Sequence, residues 1–468
     1  MEAQWVEQLK AALGNDLVAS DEASRKARRH DRWAVSQFRD WQAHELPQPG
    51  CVVRPRSVED VQKLMRFASA HGVAVVPYGL GSGVCGGVVG NPDTILIDMS
   101  AMASIRNIDE VNLLASFDAG TNGMVAEEAV AAKGLTIGNW PQSIAISSVG
   151  GWVATRASGQ FSTAYGNIED IIYAIEAVLP NGDLVHLGKA PRAAAGPDLR
   201  HLIMGAEGTM GIITGVTFSL RRQPEHRDFT AFHIADMDTG FETQRRIVQA
   251  EWRPPVMRQY DAPEVHRLFA PYASGENCLL IMVHEGPRPR VEAELAAVRA
   301  IAGEMGLSEI DAEAARGWMS HRNNVPDMMD LFKMGIIADT IEISGTWTQI
   351  GPIYRDMMAA LKTVPFIVNA SAHSSHVYRS GINIYCTFAC LPENVADMEK
   401  LYFECWDRAM TACAAAGGGI AHHHGSGRLR KNYLHHDLGD NGISLLRTLK
   451  AAVDPQGLMN PGNLLPDA

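Results

Sequence analysis

The alternation of apolar and polar positions divides the chain into three stretches. In the first, Ser57 precedes apolar residues at helical spacing (Val61, Leu64, Met65, Ala68), with Asp60 three positions on and Gly72 at the end. A serine cap, a near capping box and a glycine stop predict a helix between them. The β-branched run Val73–Tyr78 then predicts a buried strand, and Thr94–Ser100 a second one beyond a glycine-rich segment at 79–90. Further on, 111–120 reads as a strand, 123–134 as a helix closed by Gly134, 171–187 as a hairpin turning at Asn181-Gly182, and 211–220 as a strand. The first twenty residues predict a short amphipathic helix and lack the basic start and apolar core of a signal peptide.

This pattern closes near Arg222. Residues 223–415 alternate helices and strands with their own apolar runs, such as Cys278–His284, and predict a second, α+β domain. The last segment, 416–468, carries a basic helix start and a tail rich in proline, asparagine and glycine, Val453–Leu465. No internal repeat is present. The expected domains are therefore 1–222, 223–415 and 416–468, in keeping with a length of 468 residues, long for a single core.

Composition narrows the function classes. A net charge of −12 offers no electrostatic footprint for nucleic acid, and no run of eighteen apolar residues predicts a membrane span. Seven cysteines, an odd number in a long chain, fit reduced thiols in the cytoplasm better than a disulfide framework. Cys386 and Cys390, four apart, match no standard zinc or redox spacing.

The densest chemistry lies in Gly79-Leu-Gly-Ser-Gly-Val-Cys-Gly-Gly-Val-Val-Gly90. Six glycines free the backbone to turn consecutive N–H groups inward, a nest suited to a diphosphate. The loop is not a P-loop, since no Gly-Lys-Ser/Thr ends it. Nor is it a Rossmann turn, because it leads to a strand instead of opening a helix. Two further small-residue segments, 141–159 and 205–213, suggest a long cofactor lying along the backbone.

PYGLGSG at 77–83, SVGGWVATRASG at 148–159, YGNIED at 165–170, MGAEGTMGIIT at 204–214 and the tail DPQGLMNPGNLLP resemble the vanillyl-alcohol-oxidase, or PCMH-type, flavoproteins. Within that superfamily AHHHGSGRLRK at 421–431 is most similar to the alkyldihydroxyacetonephosphate synthases. The resemblance implies an α+β protein: a two-subdomain FAD-binding domain completed by the tail, with an α+β cap domain over the flavin. It implies that the amides of Gly79, Gly81, Ser82 and Gly83, flanked by Pro77 and Leu80, hold the diphosphate. Pro141, Ser147, Ser148, Gly151, Ala157, Glu207, Gly211 and Ile213 would line the flavin and adenine. Covalent members carry a histidine in this loop. None stands at 79–85, so a noncovalent FAD is expected, with Cys85 as packing and not a tether.

The triplet His422-His423-His424 concentrates the candidate bases. On a strand, His423 would face away from the other two, which argues against one metal held by all three. The resemblance assigns base and partner roles to His423 and His424, the acid/base tyrosine to Tyr385, and to Arg258 the anionic group of the substrate; a guanidinium offers it paired donors. Tyr378 reads as scaffold. Two departures stand out: the position of the synthases' second cap arginine falls near Met328, and the pattern around Ala372-His373-Ser374 differs, which puts a phosphate-bearing substrate in doubt. The D-lactate and glycolate dehydrogenase branch uses a metal. His373, His376 and His423 could form such a set, but Tyr385 replaces one of that branch's histidines, so no metal is expected.

The function implied is an FAD-dependent oxidoreductase, oxidase or dehydrogenase, acting on a hydroxylated, anionic small molecule by hydride transfer to flavin N5. The alternative is the redox-neutral synthase reaction of ether-lipid synthesis, with a non-enzymatic flavin binder the weakest reading. Oxygen, a quinone or an electron-transfer protein remain open as electron acceptor, as does a homodimer. No peroxisomal address is visible at either end.

Overall fold

A computed structural model describes residues 4–466. The first helix runs Gln4–Leu13, so the first three residues of its expected span lie outside the described residues. The predicted helix runs Val58–His71. Ser57 Oγ accepts the Asp60 N–H at 3.2 Å, and Gly72 closes the helix at φ +65°. The reciprocal bond of a capping box goes one residue early, from Arg56 N to the Asp60 carboxylate.

Three main sheets follow. The first joins β1 (Val18–Ala19), β2 (Cys51–Val53), β3 (Ala74–Tyr78) and β4 (Thr94–Asp98) in the order β1-β2-β4-β3, with β3 and β2 both parallel to β4. The helix between β2 and β3 makes that parallel connection possible. The second sheet begins with β5 (Ile105–Asp109) and β6 (Leu114–Asp118); after the short β7 (Leu135–Thr136) come β8 (Ile172–Val178), β9 (Leu184–Leu187) and β10 (Ile212–Ser219). It is antiparallel in the order β5-β6-β10-β8-β9, and β7 pairs instead with β11 (Arg221–Arg222).

The third sheet contains β12 (His226–Ile234), β13 (Val256–Tyr260), β14 (Cys278–Gly286), β15 (Ser308–Ile310), β16 (Ile337–Thr346), β17 (Ile367–Ser374) and β18 (Gly381–Cys390). Its order is β15-β12-β14-β13-β17-β18-β16. Strand alternation gives it two faces. Ala372, Cys386, Ile341 and Ile343 join one apolar core with residues of the helices Met237–Gln249, Ile350–Lys362 and Met398–Ala415. The opposite face is polar and aromatic where Tyr260, His373, Tyr385 and Glu342 stand, and apolar over β12 and β14, where Ala231, Leu279 and Ile281 pack with Val265 and Phe269. All seven cysteines are buried.

The tail returns to the first sheet. Met459 pairs beside Val75 of β3, with Val75 N donating to Leu458 O and Asn460 N to Val75 O, both at 2.8 Å. Asn460 Nδ2 also donates to the carbonyls of Gly87 and Glu207. Among the described residues no helix is long and apolar enough to cross a membrane.

Candidate active site

A cavity of about 1300 Å³ runs between the first two sheets and the polar face of the third. The glycine loop forms one end. Gly81 sits at φ +68°, and a Cβ there would stand 2.3 Å from Tyr78 Oη; a Cβ on Gly79 would stand 2.4 Å from Ser148 Oγ. The loop therefore rests directly on the start of the helix Val149–Thr155, which Ser148 caps through Gly151 N. Among the described residues, the amides from Leu80 to Val84 donate to nothing within the protein. Amides left so at a cavity wall need an acceptor, and a row of them fits the diphosphate of a dinucleotide.

Every residue assigned to the cofactor on sequence lines this cavity: Pro77 to Gly83 at one end, Pro141, Ser147, Ser148, Gly151 and Ala157 along the wall, then Glu207, Gly211 and Ile213. Glu207 also ties elements together. At φ +49°, it accepts the N–H groups of Ser426 and Gly427 at 2.6 and 2.9 Å. Cys85 packs against the same loop, and burial pushes its thiol well up, as suits an inert side chain.

The far end is built on one row across four strands. Tyr260, His373, Tyr385 and Glu342 stand opposite one another in register on β13, β17, β18 and β16. Cross-strand neighbours share a face, so their side chains stack: the Tyr260 and His373 rings lie 5.4 Å apart, and those of His373 and Tyr385 4.8 Å apart and nearly parallel. Arg258, two residues from Tyr260, lies over Trp318 at 5.2 Å and donates to Tyr260 Oη at 2.7 Å.

The histidine triplet is a loop and not a strand, which corrects the expectation that His423 turns away from its neighbours. The cause is Glu342. Its Oε1 accepts the backbone N–H groups of His422, His423 and His424 at 3.3, 3.2 and 2.9 Å, drawing three successive amides to one point. Glu342 and its guanidinium partner Arg430 are both fully buried, and Arg430 lies over Trp406 at 5.0 Å. The pairing holds the Glu342 carboxyl well below its ordinary range, against the burial that opposes it. So curled, the loop brings His423 Nε2 into a short hydrogen bond with Tyr385 Oη, and His424 Nε2 to 3.2 Å from the same oxygen. His422 Nδ1 lies 2.7 Å from His423 Nδ1, and its Nε2 lies 2.6 Å from Tyr378 Oη. Tyr378, expected as scaffold, is thus part of the cluster.

Burial, reinforced by the other histidines, holds His422 down at about 4 and His376 and His423 well below the ordinary imidazole value; burial pushes Tyr385 and Tyr378 up. All five groups are neutral across the physiological range. His376, His422 and His423 place one nitrogen each within 4.8 Å of the others, a possible metal set that substitutes His422 for the His373 suggested by sequence. Two imidazoles bound to one tetrahedral ion at about 2.0–2.1 Å keep their nitrogens roughly 3.4 Å apart; the 2.7 Å between His422 and His423 is a hydrogen bond.

The cationic end is richer than the sequence suggested. Arg267 and Arg322 join Arg258 in the cavity lining; Arg322 lies over Trp140 at 4.9 Å and Phe161 at 5.8 Å. Met328 lines the same cavity. Glu342, Arg430 and Arg322 are the residues that sequence reasoning passed over. For Glu342 a signal existed: a carboxylate between Ile341 and Ile343 in an apolar strand needs a buried partner.

A glycine-lined dinucleotide cradle facing a tyrosine–histidine centre under a cap sheet defines a flavin-dependent oxidoreductase. The comparisons agree. Residues 49–188 match the model of the FAD binding domain, and 223–464 that of the C-terminal domain of FAD linked oxidases. The chain belongs to this FAD-linked oxidase family. It is 34% identical to the uncharacterized FAD-linked oxidoreductase YgcU of Escherichia coli K12, covering 99% of this chain and 98% of that protein. It is 27% identical both to the alkyldihydroxyacetonephosphate synthase of Caenorhabditis elegans, over 96% and 82% of the two chains, and to the glycolate oxidase subunit GlcD of Bacillus subtilis, over 89% of each. Among solved structures, an alkyldihydroxyacetonephosphate synthase superposes with a TM-score of 0.82 at 24% identity, covering 98% of this chain and 86% of that one. The 4-ethylphenol oxidase of Gulosibacter chungangensis superposes with 0.78 at 17%, covering 99% and 97%. The fold is the PCMH-type FAD-binding domain with its cap, and FAD is the cofactor.

Proposed function

We propose that the protein oxidises a hydroxylated, anionic small molecule, a 2-hydroxy acid or alcohol, with FAD bound noncovalently. The observation that carries this reading is a single hydroxyl, Tyr385 Oη, shared by His423 and His424 at the opposite end of the cavity from the unpartnered amides of the glycine loop. Bound FAD would supply the hydride acceptor. The chain does the rest. The amides of Gly79 to Gly83 take the diphosphate. Arg258, with Arg267 and Arg322 in reach of the same space, orients the substrate's anion. Tyr385 and the neutral His423 receive the hydroxyl proton. The glycolate oxidase subunit among the relatives supports a 2-hydroxy acid.

Two measurements test this. Acid precipitation should leave intact FAD in the supernatant. Anaerobic mixing with a panel of hydroxy acids and alcohols should bleach the flavin with one of them. The redox-neutral synthase reaction is a second reading, favoured by the three arginines, which suffice for a phosphate. Exchange of an acyl for an alkyl chain without bleaching would select it.

A further inference from the structure

The histidine loop has a second side. Behind it lies a chamber of about 920 Å³, with Tyr378, Asn167 and His422 on its inner wall and the exposed Arg156, His201 and Leu438 in its lining toward solvent. His423 lines both this chamber and the main cavity. We propose that Tyr385, His423, His422 and Tyr378 form a relay that carries the substrate's hydroxyl proton from the flavin cavity into this chamber. The inference rests on the oxidoreductase reading of the site and adds the route by which the proton leaves.

The links are continuous. Tyr385 Oη hydrogen-bonds His423 Nε2, His423 Nδ1 lies 2.7 Å from His422 Nδ1, and His422 Nε2 lies 2.6 Å from Tyr378 Oη. Tyr378 in turn donates toward Asn167 Oδ1 at 3.2 Å, at the chamber wall. That last bond gives the chain a direction. With Tyr378 donating outward, its oxygen accepts from His422 Nε2–H, His422 Nδ1 accepts from His423 Nδ1–H, and His423 Nε2 accepts from Tyr385 O–H. The Tyr385 oxygen is then left to accept the substrate's proton.

The transfer balances. The substrate O–H bond breaks and a Tyr385 O–H forms; the old Tyr385 proton moves to His423 Nε2. His423 passes its Nδ1 proton to His422, His422 its Nε2 proton to Tyr378, and Tyr378 its own to a water in the chamber. One proton leaves the cavity, the two imidazoles change tautomer, and no relay member ends charged, the positive charge passing to the water of the chamber. The depressed histidines and raised tyrosines suit this, because no member is trapped as an ion at neutral pH. His376 fixes the geometry from the side: Ser162 and Ser158 hydroxyls hold its Nδ1 at 2.6 and 3.1 Å while its ring stacks on His422 at 4.8 Å.

The test uses the holoenzyme. Nitrogen NMR of ¹⁵N-histidine-labelled protein should show one strongly downfield proton shared by two Nδ1 atoms, lost in Tyr378→Phe or His422→Ala. Stopped-flow bleaching in weak buffer, with a pH dye recording proton release, should be slowed ~10-fold or more in either variant. Added imidazole should restore the rate in a saturating manner while leaving wild type unmoved. A merely structural residue gives no such rescue. Unchanged rates, slowed rates without rescue, or about one tightly held zinc per chain would overturn the relay. Should no hydroxylated compound bleach the flavin, the oxidoreductase reading fails, and the NMR result alone decides: a shared proton keeps the relay as the exit for any proton Tyr385 accepts, and its absence removes it.

Discussion

The two ends of the cavity are prepared in opposite ways. The glycine loop exposes backbone: amides from Leu80 to Val84 without partners among the described residues, and Gly81 in a left-handed conformation against Tyr78. The histidine loop conceals it: three successive amides converge on Glu342, and each ring nitrogen turned to the cluster meets a hydroxyl or another ring. One end is finished by its ligand, the other by the protein. A site that must grip a large anion can leave donors waiting, whereas a site that moves protons needs its geometry set before substrate arrives.

That contrast can be broken hardest at the proton-moving end. Tyr385→Phe and His423→Ala should each lower the rate of flavin bleaching by ~10² to 10⁴ while FAD content stays at wild-type level. The accompanying pH limb sharpens the point. An ordinary histidine would give a rise near pH ~6.5, but burial, reinforced by the neighbouring histidines and against the opposing pull of Glu342, lowers His423 well below that value and His422 to about 4. A base must be neutral to work, so activity should persist as pH falls through 6.5 and be lost only in more acidic solution. A midpoint at 6.5 would show the rings to be solvated.

Next in size is Glu342→Ala. It strands Arg430 in the core, a loss of ~3–5 kcal/mol in urea denaturation, and frees three amides. Glu342→Gln, which keeps an acceptor, should lose less. A change below ~1 kcal/mol for the alanine variant would mean the histidine loop holds its own shape.

At the other end, Gly81→Val adds a Cβ at 2.3 Å from Tyr78 Oη in a conformation that costs ~1–2 kcal/mol for a side chain. FAD affinity should fall at least ~10-fold, with circular dichroism unchanged. Full FAD occupancy would place the diphosphate elsewhere. The smallest effect is expected of Arg258→Ala, where losing a charged donor, ~1.5–3 kcal/mol, should raise KM roughly 10- to 100-fold and lower kcat less. An unchanged KM would assign the anion to Arg322 or Arg267.

The same contrast governs what the sequence discloses. A backbone site is written locally: the run 79–90 needs its glycines in a row, and its place between two strands follows from Val73–Tyr78 and Thr94–Ser100. A side-chain site is not. The curl of the triplet is set by Glu342, eighty residues before His422, so the alternation of a strand does not apply to it. Arg322 escaped because the reach of a guanidinium, and not its position in an alignment, decides which arginine enters a cavity. Tyr378 was set apart from Tyr385 because strand alternation says nothing about the turn between β17 and β18.

The tail that pairs beside β3 has a bearing on how the cofactor site is assembled. Met459 completes a structure begun at Val75, roughly 380 residues earlier in the chain, and a ribosome adding ~5–20 residues per second needs roughly 20–80 s to span that interval. The sheet that carries the nucleotide cradle is therefore completed by a segment made long after its own glycine loop.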